Sequence, residues 1–220
     1  MTGRLVELAG PAGAGKTTLV DLLREQQPAT RLGLPVDRAA VLLGLATAAP
    51  VLARARLASG GRWWTVAEQR SIGYLVAWQR PAGRRTAVST LLDHGPTFRL
   101  AALRADGPPM SQTPAFRHWW LETAVAWGLL LDTVVWLDAP DEVLIERIRA
   151  RARGHRVKGA SADEARLFLA RHRAAYDATL DLLNRTGARV IRVDTSTAPA
   201  SVLAAGLAER LDSTAAGHRR

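Results

Sequence analysis

The sequence predicts an α/β protein, a three-layer α/β/α domain built around a parallel five-stranded sheet. Short apolar runs alternate along the chain with longer stretches of helical apolar periodicity. Strands that are separated by helices pair in parallel through right-handed crossovers, so this alternation gives a sheet with helices on both faces. A glycine-rich segment between the first apolar run and the first helical stretch supports the same class, because such loops bind phosphate in folds of this kind.

Four apolar runs can be assigned to strands of this sheet. They are Leu5–Ala9, Thr86–Asp93, Thr133–Asp138 and Arg189–Asp194. The second is a continuous run closed by an acid, as is expected of a parallel strand buried on both faces. Ligands of open parallel sheets bind at the carboxyl ends of the strands. We therefore expect one of the strand-end acids, Asp93, Asp138 or Asp194, to serve a bound phosphate group.

Helices are predicted between these strands, and the whole chain is expected to form one domain. The predicted helices are Thr17–Arg24, Arg38–Leu57, Thr65–Gln79, Phe116–Leu131, Asp141–Arg153, Ala162–Arg185 and Pro199–Leu211. The segment Arg104–Thr113 is rich in glycine and proline and is predicted to be a loop. The domain covers residues 1–212 with a lid at about 147–161, and residues 213–220 are expected to be a disordered tail.

One segment matches the phosphate-binding loop pattern G-x-x-x-x-G-K-[ST] at every fixed position. It consists of Gly10, Pro11, Ala12, Gly13, Ala14, Gly15, Lys16, Thr17 and Thr18. Glycines let successive backbone N–H groups curl around phosphate oxygens, and the start of the next helix adds partial positive charge. Lys16 is expected to reach the β- and γ-phosphates, and Thr17 to bind Mg²⁺ through its hydroxyl. The chain is therefore predicted to bind a nucleoside triphosphate.

Composition narrows the other possibilities. The chain has 220 residues, no cysteine and a formal net charge of +10. The lack of cysteine excludes disulfides and thiolate metal sites, and a cytoplasmic protein is the simplest interpretation. Its arginines are spread along the whole chain rather than clustered, so nucleic acid is not expected as a partner. A membrane span is not expected either, because Pro50 and Asp132 interrupt the two longest apolar stretches.

The chain resembles thymidylate kinases, within the wider group of P-loop nucleoside and nucleoside-monophosphate kinases. The resemblance is carried by the phosphate-binding loop, the strand ending in Asp93, Val135–Asp141 with the arginine-rich helix behind it, Phe168–Tyr176 and Val193–Ser196. It covers nearly the whole chain in the right order, although only the loop is a sharp motif. It implies a P-loop kinase fold with a lid, ATP and Mg²⁺ as cofactors and a small-molecule acceptor. It also places Thr195 and Ser196 beside the adenine and is compatible with a homodimer.

A cationic helix runs into a glycine-flanked loop, and together they predict a lid that opens and closes. Its cations are Arg147, Arg149, Arg151, Arg153, Arg156 and Lys158. Phosphoryl transfer spreads negative charge over the moving group, which cations arriving on closure would stabilise. Arg147 and Arg151 share one helical face, and Arg147 is assigned to nucleotide binding. The resemblance implies that Arg151 and Arg153 lie near ATP. It also implies that Arg156 and Lys158 close over the phosphates.

Asp93 is predicted either to hold Mg²⁺ through water or to accept the proton of the attacking hydroxyl. By position it matches an Asp-Arg pair of thymidylate kinases, but His94 stands in place of the arginine. Ala12 stands where that family has an acidic residue. Both departures weaken the case for a nucleoside monophosphate as the acceptor.

Five residues are candidates for binding the acceptor. They are Arg80, His94, Arg99, Trp119 and Trp120. Arg80 matches a family arginine that faces the acceptor, and Arg99 would supply a second cation for an anionic group. Two adjacent aromatic residues are not expected to face inward together on one helix. One of the two tryptophans is therefore expected to line the acceptor pocket, where flat rings stack on bases or sugars.

Three functions stay open on the sequence alone. The first is an ATP-dependent kinase that acts on a nucleotide, a nucleoside or a related small acceptor. The second is a kinase of the same fold that acts on a hydroxyl of a sugar-containing or secondary metabolite. The third is an ATP-binding regulatory or nucleic-acid-binding protein without kinase activity, which a steep salt dependence of nucleic-acid affinity would support.

Overall fold

A computed structural model describes residues 3–60, 62–84, 86–152 and 154–217, with side chains described as far as Leu211. Its five strands form one sheet in which every pair is parallel, and helices cover both faces. The predicted fold class is therefore confirmed.

The sheet has the order β2-β3-β1-β4-β5. Its strands are β1 (Leu5–Ala9), β2 (Arg31–Leu32), β3 (Thr90–Asp93), β4 (Thr133–Asp138) and β5 (Arg189–Asp194). Every residue of the central strand β1 is buried, as its apolar run predicts. Leu8 of β1 lies in register with Asp93 of β3 and with Val135 of β4. The carboxyl ends of these three strands therefore form one edge.

Nine helices of the described residues connect and cover the strands. They are α1 (Lys16–Gln26), α2 (Arg38–Ser59), α3 (Val66–Ala77), α4 (Gln79–Gly83), α5 (Pro96–Asp106), α6 (Pro114–Leu130), α7 (Asp141–Ala150), α8 (Ala162–Thr186) and α9 (Ala200–Gly217). A short 3₁₀ helix, Pro109–Gln112, precedes α6. The core on one face of the sheet is built from α2, α3, α5, α6 and the second half of α8. The core on the other face is built from α1, α7, α9 and the first half of α8.

Several boundaries differ from the sequence prediction. Strand β3 begins at Thr90 rather than Thr86, because the backbone of 86–89 bends and Val88 is exposed. The predicted loop from Arg104 contains the end of α5 and the 3₁₀ helix. Helix α7 ends at Ala150, before the predicted Arg153. Helix α9 runs on to Gly217, so most of the expected disordered tail is helical here.

Helix α2 is the one helix of the described ranges that is long and apolar enough to cross a membrane by length and composition. Its most apolar window of 18 residues has a mean hydropathy of 1.5. Pro50 lies inside this helix without ending it, so the interruption that argued against a span is not a structural break. The helix packs against α3 and α6 through Gly44, Ala48 and Leu52, while Leu42 and Leu43 are about two-thirds exposed, at 66% and 67%.

Candidate active site

The phosphate-binding loop lies at the carboxyl end of β1 and turns directly into α1. Gly13 and Gly15 have φ angles of 87° and 79°, where a side chain would be strained. A Cβ atom on Gly13 would also lie only 2.7 Å from the carbonyl oxygen of Leu144 in α7. Gly15 is the N-cap of α1 and offers no side-chain acceptor, so the first-turn N–H groups have no partner within the helix. This backbone suits a bound anion.

Lys16 is held across the loop. Its side chain is buried, and its Nζ donates hydrogen bonds of 2.8 Å and 2.9 Å to the carbonyl oxygens of Gly10 and Pro11. Burial lowers the pKa of Lys16 to about 8, although the nearby Asp93 carboxylate acts in the opposite direction. Neutral carbonyls compensate a buried ammonium only in part. A polyphosphate on this loop would supply the missing negative charge.

Asp93 is the strand-end acid that faces the loop. Its Oδ2 lies 3.5 Å from the Thr17 hydroxyl, and its Oδ1 lies 3.0 Å from Nδ1 of His94. Burial acts to raise the pKa of Asp93, but hydrogen bonding and charge from His94 and Lys16 outweigh it and leave the pKa below its usual value. Asp138 instead binds the guanidinium of Arg173 at 2.8 Å.

A magnesium ion fits this edge only together with a phosphate ligand. Thr17 supplies a hydroxyl and Asp93 one ionised carboxylate. Within the described ranges, no group of three or more histidine, cysteine or acidic side chains could hold a metal by itself. Mg²⁺ commonly keeps several waters and binds through one or two carboxylates plus substrate phosphates, so the donor set is of the right kind.

The nucleotide side of the loop opens into a cavity of about 360 Å³ lined by Gly13–Gly15, Arg147, Arg151 and the segment after β5. The Arg147 guanidinium donates to the hydroxyl and to the carbonyl oxygen of Thr195, both at 2.9 Å. The structure therefore brings Arg147, Arg151 and Thr195 together beside the loop. Ser196 is exposed, and its hydroxyl donates to Asp194 at 2.6 Å.

Two lid cations make contacts other than the predicted ones. Arg156 pairs with Asp106 at the end of α5 at 3.2 Å, rather than reaching the phosphate loop. Lys158 donates to the carbonyl oxygen of Arg151. Asp106 also contacts Arg171 at 2.6 Å and His172 at 2.9 Å, so three basic side chains share this one carboxylate. The predicted role of Arg153 lies outside the described residues.

His94 and Arg99, two of the predicted acceptor residues, define what we call the acceptor side of the site. There, Arg99 is enclosed by two aromatic rings. The guanidinium carbon of Arg99 lies 4.5 Å from the ring centre of Tyr74 and 4.8 Å from that of Trp78. Arg99 also donates to the Ser71 hydroxyl at 3.2 Å, and burial lowers its pKa. His94, one turn earlier, meets the ring of Phe98 edge-on at 4.7 Å. Tyr74 and Trp78 are not among the acceptor residues that the sequence predicts.

Arg80 lies at the opposite edge of the sheet from the phosphate loop. It is exposed on α4, and its neighbours Pro81 and Ala82 line a cleft with Gly3 and Leu5 at the amino ends of the strands. Its predicted contact with the acceptor is therefore not supported. The expectation came from the family position, whereas the short helix α4 places this arginine near the amino ends of the strands, away from the phosphate loop.

Trp119 and Trp120 both pack into the core, and Trp120 also lines a cavity of about 420 Å³ together with Phe116 and Arg117. Trp120 is 8% exposed, and its Nε1 donates to the carbonyl oxygen of Leu100 at 3.0 Å. Trp119 is partly buried against Phe116, with ring centres 5.2 Å apart. Helix α6 is covered by α2, α5 and the 3₁₀ helix as well as by α8. Adjacent side chains can therefore both find apolar neighbours, contrary to the sequence argument.

One buried acid was missed by the sequence analysis. Glu7 is fully buried in the middle of β1, and its carboxylate accepts hydrogen bonds from the backbone of α5. The signal was present, since Glu7 is the single charged residue of an otherwise apolar strand.

A parallel sheet with a phosphate-binding loop at the end of its central strand is the architecture of a P-loop protein. The family model described as an AAA domain matches residues 5–175. The chain therefore belongs to this AAA-domain family. A sequence search of the curated proteins found no match.

Solved structures of a nucleoside kinase, a nucleotide kinase and a third, nucleotide-bound protein share the fold over nearly the whole chain. Deoxyadenosine kinase from M. mycoides, in a structure with dCMP and dCDP, has a TM-score of 0.56 and 12% identity, covering 96% of this chain and 99% of that one. Thymidylate kinase from Candida albicans has a TM-score of 0.56 and 15% identity, with coverage of 97% and 92%. The YorR protein of Bacillus subtilis, in complex with phosphorylated GDP, has a TM-score of 0.55 and 14% identity, with coverage of 98% and 99%. The likeness establishes the P-loop kinase fold and confirms the resemblance found in the sequence.

Proposed function

We propose that this protein is an ATP- and Mg²⁺-dependent phosphotransferase that moves the γ-phosphoryl group of ATP to a small acceptor. The observation that carries the proposal is the loop geometry. Lys16 spans the loop at 2.8–2.9 Å, and the Thr17 hydroxyl stands 3.5 Å from the Asp93 carboxylate. A cation, a hydroxyl and an ionised carboxylate at a helix N-terminus are the groups that positioning and charge stabilisation of phosphoryl transfer require.

Each residue of the nucleotide side has a distinct role in this proposal. The loop amides and Lys16 bind the phosphates, and Arg147 and Thr195 form the wall beside the base. Thr17 and Asp93 would hold Mg²⁺, which when bound neutralises charge on the phosphate oxygens. Asp93 also lies where it can orient the acceptor. Arg151, which lines the same cavity, adds positive charge near the transferred group.

A nucleoside or nucleotide is the acceptor class that we favour. The structural neighbours named above are kinases of nucleosides and nucleotides or were solved with such ligands. Arg99 between Tyr74 and Trp78 supplies a cation and flat rings on the same side as His94. The replacement of the family arginine by His94 leaves a sugar-containing or secondary metabolite as the second candidate.

An acceptor screen tests this proposal. Purified protein with ATP and Mg²⁺ is given nucleosides, nucleoside monophosphates and sugar-containing metabolites, and ADP formation is measured. We expect one acceptor class to raise ADP formation well above the rate with water alone. Lys16→Ala should abolish that increase, whereas Arg24→Ala, at the far end of α1, should retain it. An increase that survives in Lys16→Ala would contradict the assignment.

A binding protein without kinase activity is the competing class. It predicts ATP binding with no acceptor-dependent ADP formation, and nucleic-acid affinity that falls steeply with salt. We expect acceptor-dependent ADP formation and no such affinity for nucleic acid, and we propose a cytoplasmic location.

A homodimer is part of the proposal as well, with the exposed Leu42 and Leu43 of α2 as candidate contacts. Light scattering of the purified chain measures its mass directly.

A further inference from the structure

Glu7 caps a helix that lies far from it in the sequence. Its Oε2 accepts a hydrogen bond of 2.9 Å from the backbone N–H of Thr97, and its Oε1 accepts one of 3.1 Å from that of Phe98. These amides belong to the first turn of α5, whose N-cap Gly95 has no side chain to satisfy them. Free N–H groups at a helix start favour an anionic partner. A carboxylate from the central strand fills that role.

The same carboxylate is in close contact with the turn that joins β3 to α5. A Cβ atom added to Gly95 would lie 2.7 Å from the carboxyl carbon of Glu7. The preceding residue, His94, has a φ of 56°, which is uncommon for a residue with a side chain. This turn also carries Asp93, whose Oδ2 faces the Thr17 hydroxyl. A shift of the first turn of α5 would therefore move Asp93 relative to the phosphate loop.

Two ionisable groups approach Glu7 from neighbouring helices. Arg99 approaches from α5, and its positive charge favours the carboxylate. Tyr176 approaches from α8, and burial together with the charges of Glu7 and Asp93 raises its pKa. Burial raises the pKa of Glu7 itself to about 7, in spite of the hydrogen bonds from Thr97 and Phe98. Glu7 would therefore change its charge near neutral pH.

We propose that Glu7 is a positioning residue for phosphoryl transfer, whose ionised carboxylate fixes the first turn of α5 and thereby holds Asp93 and His94 at the phosphate edge. The catalytic part of this inference rests on the proposed kinase function. The structural part, that Glu7 caps α5 when it is ionised, stands on the hydrogen bonds alone. Glu7 is sealed from solvent and touches no ligand site, so it acts through the turn.

Two readouts on the whole chain test the proposal, and the first needs no activity. Backbone hydrogen exchange of Thr97 and Phe98 is followed by NMR from pH 5.5 to 9 and corrected for intrinsic exchange. In the wild type, protection should rise with pH above about 7, because local opening of this turn leaves Glu7 buried and breaks only the hydrogen bonds that favour its ionised form. In Glu7→Gln it should stay at the low-pH level, about tenfold below wild type at pH 8. Glu122→Gln, a change at an exposed site on α6, should match the wild type.

The second readout is the pH profile of ADP formation with the best acceptor. The wild type should lose turnover below pH 7, and Glu7→Gln should be about tenfold slower at pH 8 without that acid limb, while its KM for ATP stays near wild type. Gly95→Ala keeps the carboxylate but pushes the turn away, at a φ of −75° that alanine tolerates. It should slow turnover as well.

Each result decides one part of the inference. Unchanged protection of Thr97 and Phe98 in Glu7→Gln overturns the capping role. The same conclusion follows if the pH dependence of that protection disappears in His94→Gln but persists in Glu7→Gln. Lost protection with unchanged turnover overturns the positioning role. A wild type that transfers phosphate to no acceptor defeats the proposed function and the positioning role with it. The exchange data would then still decide whether Glu7 caps α5.

Discussion

The phosphate loop and the turn behind the acceptor side each rest on a fully or nearly fully buried charge, but they hold it in opposite ways. On the nucleotide side, the ammonium of Lys16 donates to the carbonyl oxygens of Gly10 and Pro11. On the acceptor side, the carboxylate of Glu7 accepts from two backbone amides of α5. Burial moves both pKa values towards neutrality, to about 8 for Lys16 and about 7 for Glu7.

The difference lies in what can reach each charge. Lys16 belongs to a loop whose next residues, Thr17 and Thr18, are exposed, so a ligand can approach and restore its full charge. Glu7 is covered by protein on every side and can act only by moving the turn above it. The nucleotide side is therefore built for a ligand to complete. The acceptor side is held in place by a charge that the protein itself must stabilise.

After Lys16→Ala, the largest effect on turnover is expected where the two sides meet, at Asp93. Asp93→Asn should lower turnover about 100-fold, because an ionised carboxylate beside the transferred group is lost, while ATP affinity changes little. Asp138→Asn is the matched change at the end of β4, where the acid binds Arg173. It should lower stability and leave turnover near wild type. Equal losses of turnover in both variants would remove the distinction between these two acids. Steady-state kinetics and thermal unfolding measure the two effects.

The next effect concerns how the free energy of unfolding depends on pH through the buried Glu7. The pKa of Glu7 is raised from 4.5 to about 7 on folding, so between these values the folded chain binds more protons than the unfolded one. The free energy of unfolding should therefore fall as pH rises through this window, by about 3 kcal/mol in total. Glu7→Gln should lack this decrease and be the more stable protein above pH 7. Urea unfolding at pH 5 and pH 8 measures the difference, and parallel pH dependence in both proteins would contradict it.

A smaller effect is expected for ATP binding at high pH. In the free protein, Lys16 loses its proton above its pKa of about 8, whereas a bound polyphosphate favours the ammonium form. ATP affinity should fall by up to about tenfold per pH unit above pH 8, with proton uptake on binding. Titration calorimetry at pH 7 and pH 9 checks this. The same pH dependence in Lys16→Ala would show that another group is responsible.

The smallest effect is expected at the contact between the lid and α5. Arg156 is mostly exposed where it meets Asp106, so Arg156→Ala should cost less than about 1 kcal/mol. Asp106→Asn removes the partner of Arg171 and His172 as well and should cost more. Chemical unfolding of both variants ranks the two. A larger loss in Arg156→Ala would mean that the lid arginine has a partner beyond Asp106.

The nucleotide side could be predicted from the sequence because it is local. Nine consecutive residues determine the loop, and the strand and helix that flank them follow from their own periodicity. Helix α5 was not predicted, because Pro96 begins it beside a glycine and more glycine and proline follow its end. Strand β2 has only two residues, both exposed, and so leaves no apolar run to detect.

Arg99 and His94 were predicted, but most contacts of the acceptor side and of the lid could not be, because the partners come from distant parts of the chain. Arg156 meets an acid 50 residues earlier, and Glu7 meets amides that lie 90 and 91 residues later. The inward packing of both Trp119 and Trp120 depends on how many helices surround α6, which no helical period reports. The assignment of Arg80 rested on family position alone, and its neighbours Pro81 and Ala82 line a cleft at the amino ends of the strands.

The most direct measurement is calorimetric titration of the wild type and of Lys16→Ala with Mg²⁺ and a nonhydrolysable ATP analogue at pH 7. The account predicts one site per chain in the wild type, and affinity at least about tenfold weaker in the variant, whose fold is checked by circular dichroism. Equal affinity in the two proteins, or no binding to a folded wild type, would show that residues 10–18 do not hold a triphosphate and would contradict the account.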